Sequence, residues 1–200
     1  MIVWPTLAPE EAQGGIVCGV DEVGRGPLAG PLVAAAVVLD REAIPEGIRD
    51  SKSLTKKRLP VIAASIHQSA RVGIGTVPPA ELDRVGLTAA NDLAMVRAVA
   101  ALPLSPDVAL IDGRRVPGGL PCRARPLVGG DALSLSIAAA SIVAKVHRDA
   151  LMRELDRLHP GYGWETNAGY PTPGHKKALK TLGITPEHRR SYKPVREIML

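Results

Sequence analysis

Ile16-Val17-Cys18-Gly19-Val20-Asp21-Glu22-Val23-Gly24-Arg25-Gly26 is the stretch on which both fold and chemistry turn. Its first five residues form an apolar run that reads as a buried strand. The run breaks into two adjacent carboxylates, and a glycine-flanked arginine follows at once. Neighbouring acids repel, so folding them together calls for a compensating charge, and a divalent cation supplies one. Glycines let a ligand approach the backbone closely, and a guanidinium fork suits phosphate oxygens. Taken alone, the hexapeptide Asp21–Gly26 reads equally well as a solvated turn shaped by glycine. The rest of the chain decides.

Outward from this stretch, Pro31–Leu39 reads as a second buried strand, and the short glycine-rich link predicts an antiparallel neighbour. Asp50-Ser51-Lys52-Ser53-Leu54 is a polar loop, after which Thr55 is placed to cap a helix reaching about Ala70. Pro60 falls early in it, where a missing N–H costs less. Arg71–Val77 reads as a strand, and Pro78-Pro79 opens a helical region split at Gly86 and reaching Leu102. Val108–Ile111 is a short buried strand ending at Asp112-Gly113, and Arg123–Val128 a weaker one before Gly129-Gly130-Asp131. From Ala132 to Leu158 one long helix is expected, with Asp131 as its ordinary N-cap. Small residues in its first half let it lie close against a sheet. Pro160–Thr172 is rich in turn formers, Gly174–Leu182 reads as a short helix, and Pro186–Arg190 as one more helical turn. The fold class expected is α/β, a mixed sheet with helices on its faces.

The 200 residues are 46% hydrophobic, enough for one core, and no segment reaches the length of a membrane span. Met1-Ile2-Val3-Trp4-Pro5 lacks the layout of a secretory signal. Two cysteines, Cys18 and Cys122, read as reduced cytosolic thiols. A net charge of +5 favours a polyanionic partner. Its cations cluster at Lys52–Arg58 and from Lys176 to Arg196, where the plain alternative is a pair of solvated helix faces. His147 and His159 read as packing or surface residues; His175 and His188 lie in basic segments within possible reach of phosphate.

Three acidic positions share one layout, an acid just past a strand or at the mouth of a helix: Asp21 with Glu22, Asp112, and Asp131. Strand ends are where ligand sites collect in α/β sheets. Each also has a plain reading as a turn or cap residue.

Jointly, Asp21–Gly26, Asp50-Ser51-Lys52, Ile111-Asp112-Gly113 and Gly130-Asp131 resemble the ordered motifs of bacterial ribonuclease HII. So do Ser136–Lys145, Gly169-Tyr170-Pro171-Thr172 and His188-Arg189-Arg190-Ser191, and the resemblance spans residues 16–195. It implies a ribonuclease H-like mixed β-sheet with a small helical C-terminal extension. The division expected is a flexible arm at 1–14, a catalytic domain at 15–158, and a C-terminal helical segment at 159–200 that contributes to substrate binding. The resemblance further implies an endonuclease acting on the RNA strand of RNA–DNA hybrids and cutting 5′ of ribonucleotides embedded in duplex DNA. Its products would carry 5′-phosphate and 3′-hydroxyl ends. Asp21, Glu22, Asp112 and Asp131 match its catalytic acids, the first three as metal ligands for two Mg²⁺ or Mn²⁺ ions. Gly24, Arg25 and Gly26 match its ribonucleotide contacts, Lys52 a phosphate-contacting lysine, and Tyr162 the tyrosine beside the RNA–DNA junction sugar. The expected enzyme is a cytoplasmic monomer that meets no membrane.

Departures from the family pattern are Gly129 where a lysine is common, the segment Trp164–Ala168, and Tyr192 where phenylalanine is common. A resolvase- or integrase-like nuclease would share fold and acids but have no use for Gly-Arg-Gly beside the metal. A catalytically silent binding module would tolerate loss of the acids, and all four are present. No Gly-x-x-x-x-Gly-Lys phosphate loop occurs.

Overall fold

The computed structural model describes residues 4–49, 51 and 54–199, so Asp50 and the expected phosphate contact Lys52 lie outside the described residues. Five strands form one mixed sheet: β1 (Val17–Val23), β2 (Leu32–Val38), β3 (Arg71–Val77), β4 (Val108–Asp112) and β5 (Arg123–Leu127), in the order β3-β2-β1-β4-β5. The first three strands are antiparallel neighbours, as the short β1–β2 link predicts, whereas β4 runs parallel to β1 and to β5. Around it lie α1 (Ala8–Glu11), α2 (Arg58–Ser69), α3 (Pro79–Val85), α4 (Leu87–Ala100), α5 (Gly130–Leu133), α6 (Leu135–Leu158), α7 (Trp164–Asn167), α8 (Pro173–Leu182) and α9 (Lys193–Arg196).

The period of two along a strand sorts the core into two layers. Val33, Ala35 and Val37 of β2 face Ile62 and Ile66 of α2 and the alanine-rich start of α6. Leu32, Ala34 and Ala36 face the other way, onto Ala90, Ala94 and Ala98 of α4. Every one of these β2 residues is fully buried, as expected for a strand covered on both sides. The start of α6 lies so close to β1 that a Cβ on Gly19 would come within 2.2 Å of the Ile137 nitrogen. Glycine at position 19 is therefore a packing requirement, and it fixes the height of α6 over the strand that carries the acids.

Several boundaries differ from expectation, each for a local reason. β1 does not stop at Val20 but continues through Asp21, Glu22 and Val23, because β2 pairs with all three. Thr55 is not a side-chain cap: α2 begins later, with Lys57 at its N-cap position, and only the Thr55 carbonyl is used. The long helix is two helices, α5 and α6, separated at Ser134. That residue is extended, and its side chain accepts from the Ile137 amide as the true N-cap; Asp131 instead sits inside α5. The turn-rich segment contains α7, while Pro186–Arg190 forms a turn with an isolated bridge between His188 and Ala29 and no helix.

Residues 1–14 were expected to form a loose arm, but in their described part they are tied to the body. Thr6 pairs with the backbone at Leu133 and Leu135. The buried Glu10 carboxylate accepts from the Ser134 and Ser136 hydroxyls, each at 2.6 Å, and from the Ser136 amide.

Candidate active site

Val20 of β1 is the register partner of Ile111 of β4. One step further along these parallel strands sets Asp21 beside Asp112, about 4.8 Å apart between strand axes. Both belong to the face that carries α6, since Val17, Val108 and Leu110 at the same parity pack against Ile137. Glu22, one residue on, takes the opposite parity and lies on the α4 side. Two strand ends thus bring three carboxylates to one edge of the sheet.

Asp21 is 7% exposed, and its Oδ1 accepts from the Glu22 amide at 2.8 Å. The Ser141 hydroxyl of α6 also bonds to it, and Ser141 in turn lies 2.8 Å from the Ser51 hydroxyl. Burial first, then the charges of Glu22 and Asp112, pushes the Asp21 carboxyl well above the ordinary range; the Ser141 bond works the other way. Glu22 is raised by burial and by Asp112, against the pull of Arg25, whose Nη1 lies 3.4 Å from Oε1. Asp112 Oδ1 accepts from the Gly130 amide at 2.8 Å, which draws α5 to the end of β4. Asp131 follows Gly130 directly and is 8% exposed.

A cavity of about 250 Å³ opens here, walled by Asp21, Glu22, Ser51, Asp112, Lys145 and Tyr170. Glu22 and Asp112 also wall a second hollow of about 240 Å³ on the α4 side, beside Arg25, Asn91 and Arg115. The raised Asp21 and Glu22 mark an all-oxygen donor set whose members repel one another, which suits a hard divalent cation. The acids are gathered without being closed up: among the described residues, no three His, Cys, Asp or Glu side chains stand ready to hold a metal ion.

The two glycines around Arg25 do different work. Gly24 has φ +95°, and a Cβ there would meet the Arg148 Nε at 2.4 Å and the Pro31 carbonyl at 2.9 Å. Its missing side chain makes room for the packing of Arg148 against the loop. A Cβ on Gly26 would meet only the Tyr170 ring, at 3.5 Å, so Gly26 is an exposed position with space beside the tyrosine that walls the cavity.

Tyr162 is not at this site. It is 5% exposed, stacks on Trp164 with ring centroids 5.0 Å apart, and donates its hydroxyl to the Gly183 carbonyl. Tyr170, 44% exposed, is the tyrosine on the cavity wall. It belongs to the quoted motif Gly169–Thr172, and burial separates the two tyrosines eight residues apart. His175 and His188 are buried too, so neither reaches phosphate. His175 Nδ1 donates to the Tyr170 carbonyl, and its Nε2 accepts from Trp164 at 3.1 Å and from His188 at 3.2 Å. His188 Nδ1 accepts from the Thr185 amide.

The sequence model of Ribonuclease HII matches residues 18–195.

The chain belongs to the ribonuclease HII family.

It is 57% identical over 189 residues to a ribonuclease HII of Ruegeria pomeroyi, covering 94% of this chain and 81% of that one. It is 60% identical over 183 residues to a ribonuclease HII of Cereibacter sphaeroides, covering 92% and 86%. The fold superposes on the crystal structure of the ribonuclease H2 from Pyrococcus horikoshii OT3 with a TM-score of 0.79 at 29% identity, over 91% of this chain and 96% of that one. The chain is therefore a ribonuclease H endonuclease with the mixed sheet expected of that fold. Among the described residues no helix is long and apolar enough to cross a membrane.

Proposed function

We propose that this ribonuclease HII hydrolyses the RNA strand of RNA–DNA hybrids and cuts 5′ of ribonucleotides embedded in duplex DNA. The products would carry 5′-phosphate and 3′-hydroxyl ends, and the likeness to ribonuclease HII relatives supports this reading. The observation that carries its chemistry is the register that sets Asp21 beside Asp112 with Glu22 one residue on. Asp21, Glu22 and Asp112 would hold two Mg²⁺ or Mn²⁺ ions, with Asp131 completing the acidic cluster. Such ions, when bound, activate water and neutralise charge on the phosphate and leaving oxygen.

The chain's own residues do the rest. Asp21, held by Ser141 and the Glu22 amide, presents a fixed carboxylate between the two others. The Gly130 amide fixes Asp112. Arg25, half exposed beside Glu22, is placed for a phosphate oxygen. Gly26 leaves room for a ribose, whose 2′-hydroxyl is the one group that tells RNA from DNA. Tyr170 takes the role expected of Tyr162, packing against the sugar on the 3′ side. Lys52 would contact phosphate. The partners are RNA–DNA hybrids and ribonucleotide-containing duplexes, with the enzyme a cytoplasmic monomer.

Calorimetric titration with Mn²⁺ tests the ligand set without cleavage. Wild type should take up the ion, and Asp21→Asn and Asp112→Asn should each weaken uptake at least tenfold. Unchanged uptake in both variants would remove the ligand assignment.

A further inference from the structure

The loop that carries Arg25 and Gly26 is held from behind by the C-terminal segment. Arg189 is fully buried and spends its fork on carbonyls: Nε and Nη2 donate to Gly30 at 3.1 and 2.9 Å, and Nη1 to Arg25 at 3.1 Å. Arg189 also donates to the Tyr192 hydroxyl at 3.1 Å, and that hydroxyl itself donates to the Arg25 carbonyl. The guanidinium lies over the Tyr192 ring, 5.3 Å from its centroid. Two donors therefore converge on one carbonyl oxygen, and one of them is an oxygen that a phenylalanine at 192 would lack.

What they hold is a whole peptide unit. The Arg25 carbonyl and the Gly26 N–H share one rigid plane, trans like every peptide bond in the described chain, so the two groups point in opposite directions. Pinning the carbonyl toward Tyr192 and Arg189 aims the Gly26 N–H away from them. Gly26 is also the loop position whose missing side chain borders Tyr170 on the cavity wall.

We propose that Tyr192 is a specificity-determining positioning residue, whose hydroxyl, together with Arg189, orients the Arg25–Gly26 peptide so that the Gly26 amide can read a ribose 2′-oxygen. This rests on the functional reading above and adds that sugar discrimination is set partly from the C-terminal segment. The hydroxyl touches neither sugar nor phosphate; it acts through the peptide it fixes.

Tyr192→Phe removes that single oxygen and leaves the ring under Arg189. Three quantities are read on the full-length protein: kcat/KM on a duplex with one embedded ribonucleotide, the inhibition constant of its all-DNA twin as competitor, and the melting temperature. The proposal expects kcat/KM to fall about tenfold, the size of one hydrogen bond to the sugar, with the all-DNA inhibition constant unchanged. A merely structural hydroxyl would weaken both together or lower only the melting temperature, and either result overturns the proposal. So does an unchanged kcat/KM. If wild type cut the all-DNA twin as fast as the ribonucleotide duplex, the functional reading itself would fall, and this inference with it.

Discussion

Asp21 and Asp112 lie side by side near the ends of two adjacent parallel strands, one step past the Val20–Ile111 pair, on the same face of the sheet with α6 above them. Parallel pairing is what makes this possible. Because β1 and β4 run the same way, both strands deliver their last residues to the same edge, where an antiparallel pair would send them to opposite ends. The cost is electrostatic: two carboxylates about one strand spacing apart, with a third next in sequence, and Asp21 almost wholly buried.

Asp21→Asn should abolish cleavage and leave the metal-free fold as stable as wild type or more so. The Asp21 carboxyl is raised in the folded protein, so the fold prefers the protonated form. Ionisation costs stability as pH rises from the ordinary carboxylate range through the raised value, and the full cost is present above it. Melting curves in chelator should show the variant's advantage growing between pH 4 and pH 8. A variant less stable than wild type at pH 8 would contradict the repulsion.

The Thr185–His188–His175–Tyr170 chain of hydrogen bonds requires neutral imidazoles. His188 is held down to about 4 by burial and then by His175, and His175 is lowered by burial as well. Unfolded histidine takes up its proton near pH 6.5. The stabilisation is therefore complete above that pH and is lost as pH falls from 6.5 toward about 4. His188→Asn should lower the melting temperature at pH 7.5 and flatten its fall over this window. An equal slope in the variant would assign the pH dependence elsewhere.

Tyr170→Ala should reduce cleavage at a single embedded ribonucleotide by more than it reduces cleavage of long hybrids. Tyr162→Phe should do neither, and should cost about 1 kcal/mol of stability through the lost bond to Gly183. If the two variants exchanged these behaviours, the cavity wall would have been assigned to the wrong tyrosine.

Gly24→Ala and Gly26→Ala separate packing from recognition. The first forces a side chain into Arg148 and the Pro31 carbonyl at positive φ, and should destabilise by about 2 kcal/mol or more. The second should fold normally and lose ribonucleotide cleavage. Similar melting temperatures for both variants would contradict the division.

Arg25→Ala should weaken duplex binding and lower the salt slope by about one counterion. An unchanged slope would mean that Arg25 meets no phosphate.

Much of the site was legible in the sequence, because strand-terminal acids and a glycine-flanked arginine carry their chemistry in their order. What was hidden depended on pairing and packing. That β1 runs on through Asp21 and Glu22 is decided by β2, whose Ala34 and Ala35 pair with them. The break at Ser134 follows from the Ser134 cap and from Thr6 and Glu10 of the N-terminal segment, more than 120 residues away in sequence. Tyr162 and Tyr170 are both turn-flanked tyrosines, and they are told apart by the stacking of Tyr162 on Trp164 and by the place of Tyr170 on the cavity wall. Gly24 and Gly26 look alike until Arg148, from α6, is seen to fill the space beside one of them.

The central claim is that the acids at the ends of β1 and β4 bind divalent cations and cut beside a ribose. Its most direct test is a labelled DNA duplex with one embedded ribonucleotide, incubated with Mg²⁺, Mn²⁺ or chelator beside its all-DNA twin. The account predicts a single nick 5′ of the ribonucleotide, leaving a 3′-hydroxyl, only when a cation is present. Cleavage in chelator, or equal cleavage of the all-DNA twin, would contradict it.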